Sequence, residues 1–158
     1  MKFRITQLWK VPVFCLISSI ISFLVTVYWG GRFFTVETTG PDGIPIISID
    51  PIRSAVFNGA LFVIVLLLGG FWAFRGMTKS EIALSAAIIS GIYFSITLTQ
   101  LYLPDFPVSL SLMLAYLQNW TGTIASALYK ITGNFQFSVL VANFAPFQFV
   151  PFGCKLDK

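Results

Sequence analysis

The chain has 158 residues, 56% hydrophobic and only 10% charged, with ten lysines and arginines, six acids and no histidine. Such a composition lies outside the soluble globular range, and 158 residues leave no room for a soluble module beside the apolar runs. The formal charge of +4 is spread over the flanks of those runs, which is how membrane orientation signals look, so no nucleic-acid partner is expected.

In chain order, the start Met1-Lys-Phe-Arg before an apolar run imitates a secretory signal. The run is long, however, and Tyr28-Trp29-Gly30-Gly31 lacks a small-x-small cleavage pattern, so a retained first span over residues 11–29 is expected. It carries Ser18, Ser22 and Thr26 on one helical stripe. The next segment, residues 33–49, is rich in β-branched and aromatic residues around Gly40-Pro41-Asp42-Gly43. It predicts a β-hairpin with Pro45 on an edge, and two strands alone are marginal in water, so the hairpin should lean on the outer surface or on a partner.

A second span over residues 54–74 places Ala55 and Gly59 one turn apart and has Gly69-Gly70 near its end. A basic turn follows, in which Thr78 or Ser80 would cap the next helix with Glu81 at the positive end of its dipole. The third span, residues 82–103, carries Ala83, Ala87, Gly91 and Ser95. Helices in lipid associate by close backbone approach, which small residues at every fourth position permit, so these three stripes are the expected helix-packing surfaces. The other reading of the hydroxyls is a polar path through the bundle. Pro104-Asp105-Phe106-Pro107 then breaks the chain.

Residues 108–132 pose the harder question. From Asn119 onward, Trp120, Ile124, Leu128 and Ile131 share one helical face and Asn119, Thr123, Ser126 and Lys130 the other. The expectation is one or two helices lying on or dipping into the outer surface, with Trp120 at headgroup depth and Gly133-Asn134 as the stop. Residues 135–152 then form the fourth span, bent near Asn143 to Pro146, where a hydrophobic groove is an option. With four spans and both termini cytoplasmic, Lys2, Arg4, Lys10, Arg75, Lys79, Lys155 and Lys158 lie inside and Arg32, Arg53 and Lys130 outside, seven against three. Five spans would give six against four, so the positive-inside rule selects four.

The expected fold is therefore an all-α membrane protein: a single integral domain over residues 1–158, built as a four-helix transmembrane bundle with an extracytoplasmic β-hairpin and interfacial helices. A bacterial plasma membrane is the expected location. No ionisable side chain falls inside a predicted span, which argues against ion-coupled transport by this chain alone. Cys15 and Cys154 have neither disulfide nor metal-site spacing, and the absence of histidine removes the commonest haem ligand and zinc sets, so no metal or cofactor is expected.

Asn58, Gln100, Asn119, Gln136, Asn143 and Gln148 are amides that bridge helices as glue or line a pore. Asn119-Trp120-Thr121 matches a glycosylation sequon, a triplet common by chance. Asp50, Arg53 and Asp105 all fall at outer span ends and would form a small polar cluster if they converge. The leading functional expectation is a non-enzymatic accessory, assembly or regulatory subunit, partnered by the bilayer and by another membrane protein or a second copy. Its rivals are an oligomeric channel or carrier for a neutral or lipophilic solute, and a lipid-modifying enzyme using Asp50 and Asp105.

Overall fold

The computed structural model of the protein describes residues 5–39, 42, 44–103 and 105–154, with side chains from Gln7 onward. Lys2, Arg4, Pro104, Lys155, Lys158 and all of the hairpin turn except Asp42 lie outside the described residues. Four helices are long and apolar enough to cross a membrane: α1 (Lys10–Phe34), α2 (Pro51–Ala73), α3 (Lys79–Tyr102) and a fourth over Phe135–Phe152. Between the last two come α4 (Val108–Leu117) and α5 (Gly122–Thr132), so the fourth long helix is α6. A two-stranded antiparallel hairpin joins α1 to α2, with β1 (Thr35–Thr39) paired to β2 (Pro45–Ile49).

Local chemistry sets most boundaries. Asp50 caps α2 by accepting from the Ile52 and Arg53 amides at 2.8 and 3.1 Å, with Pro51 pre-set for the first helical position. Thr78 and Glu81 close a reciprocal capping box on α3: the Thr78 amide donates to Glu81 Oε2 at 2.9 Å and the Glu81 amide to Thr78 Oγ1 at 3.3 Å. Gly133, at φ 66°, ends α5 in the left-handed conformation that glycine adopts without penalty. Asn134 then caps α6 through the Phe137 amide at 3.0 Å. The expected bend in α6 is a break: α-helix runs over Phe135–Ala142, and 3-10 helix resumes over Ala145–Phe152.

The hairpin register pairs Thr35 with Ile49 and Thr39 with Pro45, which puts Pro45 at a strand end where its missing amide costs no central bond. Its base is closed by the Asp50 amide donating to the Phe34 carbonyl at 2.7 Å. Support comes from Phe33 and Phe34, whose rings lie 5.7 and 5.9 Å from Phe57 on α2. The strands themselves stand free, with Ile47 and Ile49 more than three-fifths exposed.

α3 is the central helix, packed against α1 on one side and α6 on another. Its buried face is Ile82, Ser85, Ala86, Ile89, Ser90, Tyr93 and Thr97. Toward the end opposite the hairpin, the rings of Phe14, Phe74 and Phe149 meet edge-to-face with centroids 4.9 to 5.8 Å apart. The chain after α6 is held by the Cys154 amide, which donates to the Met77 carbonyl at 3.0 Å.

Two of the three small-residue stripes do not pack the bundle. Ala87, Gly91 and Ser95 are exposed and Ala83 is half-buried; on α2, Ala55 is exposed and Gly59 half-buried. A Cβ at Gly59 or Gly91 would meet nothing within 4 Å. Periodicity groups these residues on one face of each helix, but on α3 that face is mostly exposed. Close approach occurs instead at Gly69-Gly70, where a Cβ would lie 2.5 Å from the Phe149 ring and 2.4 Å from the Phe152 ring. The α1 stripe does face inward, with Ser18 and Ser22 at 6% and 3% exposure and Thr26 half-buried.

Gly69→Ala should therefore destabilise the protein by about 1–3 kcal/mol through forced displacement of packed rings. Gly91→Ala should be neutral or stabilising by up to ~1 kcal/mol, because alanine loses less chain entropy in a helix. Thermal unfolding of both variants in detergent checks the contrast; equal destabilisation would contradict this packing.

Candidate functional site

The segment between α3 and α6 shapes the site. α4 runs back along α3: the Gln100 side chain donates to the Ser111 carbonyl at 3.1 Å, and further down the Gln118 side chain donates to the Tyr93 carbonyl at 3.1 Å. Tyr93 is nine residues before the end of α3 at Tyr102, so the chain has descended roughly 14 Å at 1.5 Å per helical residue. It reverses through a 3-10 turn over Asn119–Thr121, and α5 climbs back beside α2, with Thr123 Oγ1 donating to the Asn58 carbonyl at 3.3 Å. α4 and α5 thus form a helical hairpin that enters the bundle from the β-hairpin end, turns midway and leaves at the same end.

This arrangement corrects the role given to Trp120. Instead of sitting at an outer margin, Trp120 is 2% exposed, stacked on Phe62 at 5.6 Å and 12°, with Phe149 5.7 Å away. Ile131, on the face assigned to apolar contact, is 82% exposed. An amphipathic pattern separates two environments without naming them; here the apolar one at Trp120 is the protein core.

The polar one is a cavity. A space of about 630 Å³ lies between α5, the first turns of α2 and Thr26 of α1. Its polar lining is Ser54, Asn58, Asn119, Thr123, Ser126 and Lys130, and its rim near the hairpin includes Ile49 and Pro51. Ala55 belongs to its wall, which is where this residue of the second stripe finds a place. At the inner end a smaller pocket of about 10 Å³, bounded by Ser22, Thr26, Phe62 and Trp120, shares Asn58, Asn119 and Thr123 with the main cavity. That volume is about what one water or one ligand oxygen needs.

Beyond the pocket the polarity continues. Ser22, Thr26 and Ser90 each carry a buried hydroxyl with no hydrogen-bond partner. The Tyr93 hydroxyl lies beside Ser19 and Trp120, so a seam of hydroxyls leads from the cavity floor into the bundle centre. The seam stops at the Phe14, Phe74 and Phe149 rings. Unpaired buried polar atoms cost about 1–3 kcal/mol each, and native proteins keep few of them without a use.

The remaining sequence candidates divide. Asn143 is 1% exposed and paired with Thr97, its amide donating to Thr97 Oγ1 at 3.0 Å, so it ties α6 to α3 as helix glue. Pro146 is fully buried. Asp50 and Arg53 pair at 3.4 Å on the surface, whereas Asp105 makes no hydrogen bond or ion pair with either among the described residues. Of the three, only Asp50 and Arg53 are joined by an ion pair among the described residues. Comparison with known proteins adds nothing to this geometry: no family model, no curated protein and no solved structure matches the chain.

Thr97→Val should lower stability by about 1–2 kcal/mol, because it leaves the buried Asn143 amide unpaired. The double variant Thr97→Val/Asn143→Leu should recover much of that loss, since both polar partners are then gone. Chemical or thermal unfolding of the wild type, Thr97→Val, Asn143→Leu and the double variant measures it; simple additivity of the two single losses would contradict the pairing.

Proposed function

We propose that the chain is an integral membrane protein that binds a small polar or amphipathic ligand in the β-hairpin half of its bundle, as a carrier or lipid-handling protein does. Support for the membrane comes from an inverted burial pattern. Ile17, Ile21 and Ile64 on the long helices are half exposed, whereas Ser19, Ser85 and Ser138 are fully buried. Large apolar exposure around a polar interior is costly in water and natural in lipid. Four apolar helices of 18 to 25 residues match the thickness of a bilayer core. The α4–α5 hairpin is then re-entrant, which lipid tolerates only where the non-helical turn is buried in protein or lines a cavity. Both conditions hold for Asn119–Thr121.

The observation that carries the ligand-binding reading is an open cavity of about 630 Å³, its surface mostly apolar but set with hydroxyls, amides and Lys130, above the unpartnered Ser22 and Thr26 hydroxyls. Membrane carriers use the same device, placing the ends of broken helices against a polar ligand near mid-membrane. The aromatic cluster at the far end closes the path, so in this form the site communicates only with the hairpin side, the extracytoplasmic side if both termini are cytoplasmic.

A second reading keeps the accessory-subunit role. It rests on the Ala83, Ala87, Gly91 and Ser95 face of α3, which the chain leaves uncovered, and on the free strands of the hairpin. Small residues at four-residue spacing suit a partner helix. A lipid-modifying activity has the least support, since no contact between Asp50 and Asp105 favours it.

Purification in mild detergent, followed by extraction and identification of whatever is retained, separates the readings. Ala127→Trp fills the cavity from its wall. A small molecule or lipid retained by the wild type and lost from folded Ala127→Trp is the expected result. Identical extracts, together with a protein partner lost only on Gly91→Leu, would replace the ligand-binding reading with the accessory one.

A further inference from the structure

The ligand-binding reading leaves open what charge the ligand carries, and the cavity walls speak to that. Resting on that reading, we infer that the cavity takes an oxyanion-bearing headgroup, phosphate or carboxylate, with Lys130 as its counter-charge near the mouth and the Ser22 and Thr26 hydroxyls around its innermost oxygen. Four observations combine. Lys130 is the one charged side chain among the lining residues, and it has no ion pair among the described residues. No lining residue is acidic; Asp50 lies between the rim residues Ile49 and Pro51, but its carboxylate is taken up by the Ile52 and Arg53 amides and the Arg53 side chain.

The orientation of α5 acts in the same direction. Its first residues, Gly122 and Thr123, lie in the cavity wall next to the inner pocket, so the positive end of its dipole is at the floor. Lys130 stands two turns further along, roughly 10 Å at 1.5 Å per residue, so a helix N-terminus at the floor and a cation near the mouth line the same space. The last observation is independent of charge. Ser22 is 3% exposed and lines the inner pocket with its hydroxyl unpartnered, and Thr26 Oγ1 is buried there in the same state. Two hydroxyl donors around a space for one oxygen, in a low-dielectric setting, suit an acceptor that carries charge. A cation would meet Lys130 and the helix dipole as repulsion.

The oxyanion could arrive on a lipid or free in solution, and the experiment distinguishes the two. Full-length protein is placed in phosphatidylcholine nanodiscs, and its thermal unfolding is followed with inorganic phosphate against chloride at matched ionic strength, and separately with phosphatidylglycerol added to the disc. A rise in Tm with phosphatidylglycerol alone identifies a lipid headgroup; a rise with inorganic phosphate identifies a free oxyanion; either supports the inference. In both cases Lys130→Gln and Ser22→Ala should each weaken the apparent affinity about tenfold, while Lys79→Gln at the far end changes nothing. Native mass spectrometry of the bound species gives the same comparison without relying on stability. No effect of either anion, while folded wild type still retains a neutral molecule that Ala127→Trp loses, would overturn the oxyanion and leave the binding site standing. No anion effect and no retained molecule would overturn both.

Discussion

A chain that reverses direction midway along an apolar bundle frees backbone groups that must find partners there, and the rest of this structure is arranged around satisfying them. At the reversal, the Gln118 amide bonds back to Ala115, the Thr121 amide and hydroxyl both reach the Gln118 carbonyl, and the Gln118 side chain spans to Tyr93 on α3. Packing seals the same turn: Trp120 lies flat on Phe62 and against Phe149, an aromatic contact worth about 0.5–1.5 kcal/mol per pair beyond the area it buries. The turn is thereby fixed from three helices at once, and the polar face of α5 is turned toward α2.

That commitment creates the site. Helix α5 is too short and too polar on one side to face lipid, yet its position against α2 turns Asn119, Thr123, Ser126 and Lys130 toward a shared space with Ser54 and Asn58. Hydroxyls on α1 and α3 extend the polarity inward, and the phenylalanine cluster ends it. The chain therefore has one polar half, at the hairpin end, and one sealed aromatic half, where Gly69-Gly70 lets α2 approach the rings of α6 closely. A binding role follows more directly from such asymmetry than a conducting one, which would need the aromatic half to part.

Much of the fold was readable from the residues. Apolar runs located the four long helices, and Thr78 with Glu81, Gly133 with Asn134, and Pro45 announced a cap, a stop and a strand end through chemistry that acts within a few residues. What could not be read was which way each face turns. The serines of α1 and the alanines and glycine of α3 have the same four-residue spacing, yet one set lies inside and the other outside, because orientation depends on what the neighbouring helices bring. Trp120 was misjudged for the same reason. Its flanks, Gln118 and Thr121, were the available signal: side chains that can satisfy a buried turn stand on both sides of a large aromatic. The cavity itself was invisible, since its walls come from three segments spread from Thr26 to Lys130.

The account rests on α4 and α5 entering and leaving at one face. Single cysteines substituted at Asp42, Asp105 and Asn134, and native Cys154, can each be labelled with a membrane-impermeant thiol reagent from either side of sealed vesicles. The first three should react from one side and Cys154 from the other. Labelling of Asp105→Cys and Asn134→Cys from opposite sides would mean that the segment crosses the membrane, and the re-entrant hairpin with its cavity would have to be abandoned.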